Sequence, residues 1–176
     1  MDNIKFTVLD DGKKLQIENL RNSNIIYRNF AGEKTQFNTN GSRKFTIKID
    51  SADAAQKLKD QGWNVKIKPP KNEDDDPSYT LEVKVRLDLD WVRPKIAMFT
   101  RDRRVTVDEN NIAMFDKAEF ETVDIVLRQY AWKNMAGASG ISAQLSEMYA
   151  RIQEGVLEAK WAEEEGPGED DMPFDM

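Results

Sequence analysis

Apolar and polar residues alternate with a period of two through most of this chain. In residues 43–50, Phe45, Ile47 and Ile49 alternate with Lys44, Thr46 and Lys48, which predicts a strand with one apolar and one basic face. Residues 79–90 continue the theme: Tyr79, Leu81, Val83, Val85 and Leu87 fall on one face, Glu82, Lys84, Arg86 and Asp88 on the other. Further strands are expected on both sides of Asp11-Gly12, a hairpin turn signal, at residues 25–30, in "WNVKIKPP", and as a pair in "PKIAMFT" and "RRVTV". Two last extended stretches, "ETVDIVLRQYAWKN" and "GISAQLSEMYARIQE", flank the turn at residues 135–139. The second has good helix formers, but the alternation of Ile141, Ala143 and Leu145 favours a strand.

Only one segment reads clearly as a helix. In "SADAAQKLKDQG", Ser51 is a suitable N-cap, the interior is rich in Ala, Leu and Lys, and Gly62 stands where a helix commonly ends. "DENNIAMFDKAEF" holds a short helix at most. Eight to ten short strands with one or two short helices, one of them set between strands, predict a mainly β fold. The expected architecture is a small Greek-key barrel of the OB type rather than an immunoglobulin-like sandwich. The domain should span residues 1–158, followed by a disordered acidic tail over residues 159–176.

Composition narrows the chemistry. The 176 residues contain no cysteine and no histidine. Disulfides, thiolate sites, histidine-ligated zinc and serine–histidine or cysteine–histidine catalysis are therefore excluded. Nothing calls for a cofactor. With neither an apolar run of membrane-spanning length nor a signal-like start, the expected location is the cytoplasm, that of a host cell if a phage encodes the chain. The net charge is −6, but seven acids and no Lys or Arg lie from Ala162 onward, so removing those seven charges leaves +1 on the rest. The global charge thus conceals a body that is not acidic.

Three groups of side chains are candidates for binding. In "IVLRQYAW", Arg128, Tyr130 and Trp132 share a strand face with Val126, opposite Ile125, Leu127 and Ala131. A cation beside two rings suits a single strand of nucleic acid, whose phosphates need positive charge and whose bases stack; the competing reading packs both rings beneath a loop. "YRNFAGEKTQFNTNGSRKF" interleaves Arg28, Lys34, Arg43 and Lys44 with Tyr27, Phe30 and Phe37. Lys84 and Arg86 complete the expected contacts. Two carboxylate groupings, Asp88 with Asp90 and Glu73 to Asp76, raise a Mg²⁺-dependent nuclease as an alternative, although no third acid is identified. A protein–protein scaffold built on the barrel is the other alternative.

The tail ends "GEDDMPFDM". Its Asp170, Asp171, Met172, Pro173 and Phe174 resemble the C-terminal tip of bacterial and phage single-stranded DNA-binding proteins, where acids precede an apolar residue, proline and phenylalanine. "FNTNGSRKF", "GWNVK" and "PKIAMFT" are likewise similar to OB-fold single-stranded DNA-binding proteins of phages, a likeness spanning roughly residues 24–152 plus the tail. The resemblance implies sequence-independent binding of single-stranded DNA in phage replication, recombination or repair, without catalysis. It also implies that Asp170, Asp171, Pro173 and Phe174 recruit replication and recombination proteins. Here Asp175 and Met176 follow Phe174, which displaces the terminal carboxylate used in that family by two residues.

Overall fold

The computed structural model describes residues 3–36, 38–89 and 93–152. Ten strands follow in chain order: β1 (Lys5–Leu9), β2 (Lys14–Leu20), β3 (Ile25–Asn29), β4 (Arg43–Ile49), β5 (Val65–Lys68), β6 (Ser78–Val85), β7 (Lys95–Phe99), β8 (Arg104–Thr106), β9 (Phe120–Lys133) and β10 (Ser139–Ile152). The helix α1 (Ala52–Asp60) lies between β4 and β5. It begins as its sequence predicts: the Ser51 side chain accepts from the Ala54 amide, and Gly62 beyond its end takes φ +95°. Its Ala55 and Leu58 face the core. The "DENNIAMFDKAEF" segment contains a single 3-10 turn, Ile112–Asp116.

The strands form one sheet in the order β1-β2-β9-β10-β6-β4-β3. Near its start β6 carries β5 on one edge, and further along the same strand pairs with β10 in parallel. β10 in turn leaves β6 after Gln144 and picks up β7 in parallel from Glu147 onward, across a register shift between Leu145 and Glu147. These handovers, with a bulge at the second, curl the sheet around one core. Leu15, Ile17, Phe45, Ile47, Leu81, Val83, Ile125, Leu127 and Leu145 are all buried in it, together with the stacked rings of Phe30 and Phe45. Among the described residues β1 and β3 do not pair with each other, so the barrel stays open.

Two expectations need correction. Residues 79–90 do not form one long strand, because β6 stops at Val85. Beyond it the Arg86 side chain folds back onto Asp88, and the Leu87 carbonyl accepts from Arg93 rather than from a neighbouring strand. Ala131, expected on the core-like face, is exposed, because this end of the β9–β10 hairpin runs past the core. The expected domain limit at residue 158 and the tail lie outside the described residues.

Candidate nucleic-acid interface

Period-two strands place their polar alternate positions on the outside of the curled sheet, and the pairing register brings those positions into line. Lys14 of β2 stands opposite Arg128 of β9, Arg128 opposite Gln144 of β10, Gln144 opposite Lys84 of β6, Lys84 opposite Lys44 of β4, and Lys44 opposite Asn29 of β3. At the usual strand separation, Lys14 to Lys44 spans about 19 Å. Four cations thus cross five neighbouring strands in one row. The interruption is Gln144, whose buried side chain accepts a hydrogen bond from Arg128 Nη2 at 3.2 Å. Lys44 Nζ lies 3.6 Å from Glu82 Oε2.

A second line leaves this row along β9. Tyr130 and Trp132 follow Arg128 at alternate positions, about 7 Å apart per step, and their side chains remain 43% and 37% exposed. The rings are therefore not sealed beneath a loop. Trp132 stands opposite Gly140 of β10 and packs against it so closely that a Cβ there would meet the indole Cζ2 at 2.8 Å. The absence of a side chain at Gly140 lets one part of the indole rest on backbone while the rest faces solvent.

Beyond the row, residues 40–43 and 84–88 together with Glu109 line an open cleft of about 610 Å³. Arg86 forks onto Asp88, Nε and Nη2 donating at 3.0 and 2.9 Å to its two oxygens. This hydrogen-bonded pairing holds the Asp88 carboxyl below the usual carboxylate range and raises the Arg86 guanidinium above its ordinary value; Tyr130 adds to the latter. Arg43 Nη1 donates to the Phe30 carbonyl at 2.7 Å, which fixes its stem at the cleft wall. Lys34 is exposed on the neighbouring loop, its Cγ lying against Gly41. Asn38 braces that loop, donating to the Glu33 and Ser42 carbonyls and accepting from the Ser42 amide.

Arg28 stands apart from the other candidates. Its Nε donates to the Ile25 carbonyl, Nη1 to the carbonyls of Phe115 and Ala118, and Nη2 to the backbone and side-chain oxygens of Asn22. The guanidinium also lies over the Phe120 ring, 4.6 Å from its centroid. Burial lowers its pKa from the ordinary arginine value, with Asp116 opposing. All five donors are committed within the chain, so Arg28 ties β3 to the 112–118 segment and has none left for a phosphate.

The structure therefore gathers Lys44, Lys84, Arg128, Tyr130 and Trp132 on one outer face, with Arg43 and Arg86 at the adjoining cleft and Lys34 on its rim. Lys14, not among the sequence-based candidates, joins the row through its register with Arg128; the hairpin at Asp11-Gly12 and the alternation of Lys14 with Leu15 were the available signals. Of the proposed carboxylate pair, Asp88 is engaged by Arg86 while Asp90 lies outside the described residues. Among the described residues no three acids are grouped to hold a metal ion. The tail candidates Asp170, Asp171, Pro173 and Phe174 also lie outside them.

Aligned cations that lead to exposed rings on an open β-barrel define a surface suited to an unpaired polyanion with flat bases. The family model described as "Putative phage ssDNA-binding domain" matches residues 8–172. The chain belongs to this phage single-stranded DNA-binding family. Among solved structures, the single-stranded DNA-binding protein from bacteriophage Enc34 in complex with single-stranded DNA aligns with a TM-score of 0.50 at 14% identity, over 88% of this chain and 98% of that one. Its C-terminally truncated form gives 0.48 at 14% identity, over 87% and 97%. Gp2.5, a single-stranded DNA-binding protein encoded by bacteriophage T7, gives 0.38 at 12% identity, over 92% and 95%. The Enc34 complex supports the OB-like fold. No curated protein matches the chain in sequence.

Proposed function

We propose that the chain binds single-stranded DNA without sequence preference along its outer face, in phage DNA replication, recombination or repair, and makes or breaks no bond. The observation that carries this reading is the cross-strand row Lys14–Arg128–Gln144–Lys84–Lys44 continued by Tyr130 and Trp132. The cations neutralise phosphates and release counterions, while the rings accept bases. Backbone contacts and stacking read no base edges, so the binding is indifferent to sequence. Arg86 and Arg43 extend the track into the cleft, and Lys34 adds charge at its rim.

The residues 163–176, with seven acids, form the second part of the proposal. Asp170 and Asp171 steer the chain end towards basic surfaces of replication and recombination proteins, and Pro173 and Phe174 dock there. The place of action is the host cytoplasm. Among the described residues no helix is long and apolar enough to cross a membrane.

The test is a fluorescence titration of a labelled single-stranded oligonucleotide and its duplex at several salt concentrations. The four cations of the row alone predict a log–log salt slope of about −2.8 for the single strand. Equal, salt-insensitive weakness for both forms would overturn the reading.

A further inference from the structure

Tyr27 is the most exposed aromatic ring among the described residues, at 74%, and its backbone sits in the left-handed region at φ +49°. That region is unfavourable for a bulky side chain. The cause is local. β3 pairs Ile26 with Thr46 and Asn29 with Lys44, so Tyr27 and Arg28 together oppose the single residue Phe45. This is a bulge whose first position glycine ordinarily fills. The residues on either side hold it in place. Arg28 reaches back to the Ile25 carbonyl and forward to Phe115 and Ala118, and Asn29 both donates to and accepts from the Glu33 backbone. A strained residue persists where its surroundings over-determine it, and such strain gathers at functional positions. Here the strained residue puts an aromatic ring into solvent, two positions along β3 from Asn29, where the cation row ends.

Resting on the reading of the outer face as a single-stranded DNA track, the geometry points to Tyr27 as a base-stacking residue at the β3 end of that track. The bulge sets Tyr27 opposite Phe45, one register step beyond Lys44 on the edge strand β3, so the exposed ring would receive a base that turns around this edge after Lys44. Tyr27 thus serves at the β3 edge as Tyr130 and Trp132 serve along β9, and the bulge exists to present it.

The experiment compares the full chain with Tyr27→Gly and Tyr27→Phe, using a labelled oligothymidine for affinity and thermal unfolding for stability. Glycine removes the ring and suits φ +49°, so the unfolding temperature should not fall while affinity weakens by about five- to 150-fold, the contribution of one stacked base. Phenylalanine should bind within about twofold of wild type, because stacking needs only the π-face. Unchanged affinity in Tyr27→Gly would overturn the inference. A lower unfolding temperature in that variant would overturn it too, since the ring would then serve packing. If wild type shows no preference for the unpaired strand, the reading of the whole face falls and this inference with it; if wild type binds and Tyr27→Gly binds as tightly, only the inference falls.

Discussion

Replacing Arg28 by methionine separates a structural cation from a DNA-binding one. The change removes five donors: to Ile25, to Phe115 and Ala118, and twice to Asn22. It also removes the cation over Phe120. Hydrogen bonds from a charged group contribute about 1.5–3 kcal/mol each, but they are not additive. Arg28 is only half-buried, so some of the abandoned carbonyls rehydrate. Discounting for both, the loss should be about 3 kcal/mol, near the low end for breaking a buried charged contact. For a domain of this size that lowers the unfolding temperature by about 6–12 °C. Calorimetry measures the shift, and titration below both transitions measures affinity for a single-stranded oligonucleotide, which should stay within about twofold because no donor faced a phosphate. An unfolding temperature within about 2 °C of wild type, combined with a fivefold or greater loss of affinity, would refute the reasoning and return Arg28 to the track.

Other substitutions probe the face itself. Lys84→Ala should weaken binding uniformly across sequences and reduce the magnitude of the log–log salt slope by about 0.7, read from titrations in increasing salt. Asp88→Asn should free Arg86 for phosphate and tighten binding about 1.4- to fivefold at neutral pH, the range for an exposed pair. Because the folded Asp88 carboxyl is depressed, the pair is intact above the ordinary carboxylate range and is lost as pH falls through the folded value, so the advantage of Asp88→Asn should vanish in acid, as parallel titrations at two pH values would show. Gly140→Val should push the Trp132 indole off the β10 backbone, seen as altered tryptophan emission with weaker binding of the oligonucleotide. Deleting residues 163–176 should tighten DNA binding at low salt and abolish capture of replication proteins; unchanged affinity at low salt counts against competition between tail and DNA.

Much of the fold was legible because alternation is a local property. Phe45, Ile47 and Ile49 mark the inner face of β4 without knowledge of its neighbours, and Ser51 with Gly62 bracket α1. The ambiguous residues 139–152 are a strand despite their helix formers, since β10 gains partners on both edges, β9 on one and β6 and β7 on the other. Register is another matter. It links Lys14 to Arg128 and Lys84 to Gln144 through pairings remote in sequence, so no pattern within one segment could align them. Arg28 misled for a related reason: the bulge at Tyr27 breaks the two-residue period, and the guanidinium turns towards Asn22 and the 115–118 backbone.

The same distinction explains how a chain of net charge −6 can carry the proposed DNA-binding face. Seven acids stand after Ala162, which leaves a body of only +1. That small excess has little reach by itself. What matters is that strand pairing sorts it. Lys14, Arg128, Lys84 and Lys44 come from four separate strands and meet in one row because each occupies an outward alternate position in register, with Gln144 linking Arg128 to Lys84. Shifting one strand by a single residue would turn its cation towards the core and break the row. The buried residues Leu15, Leu127, Val83 and Phe45, each adjacent in sequence to one of those cations, prevent that slip. The core and the binding face are thus two sides of one constraint: the packing that holds the apolar positions inside keeps the cations aligned outside.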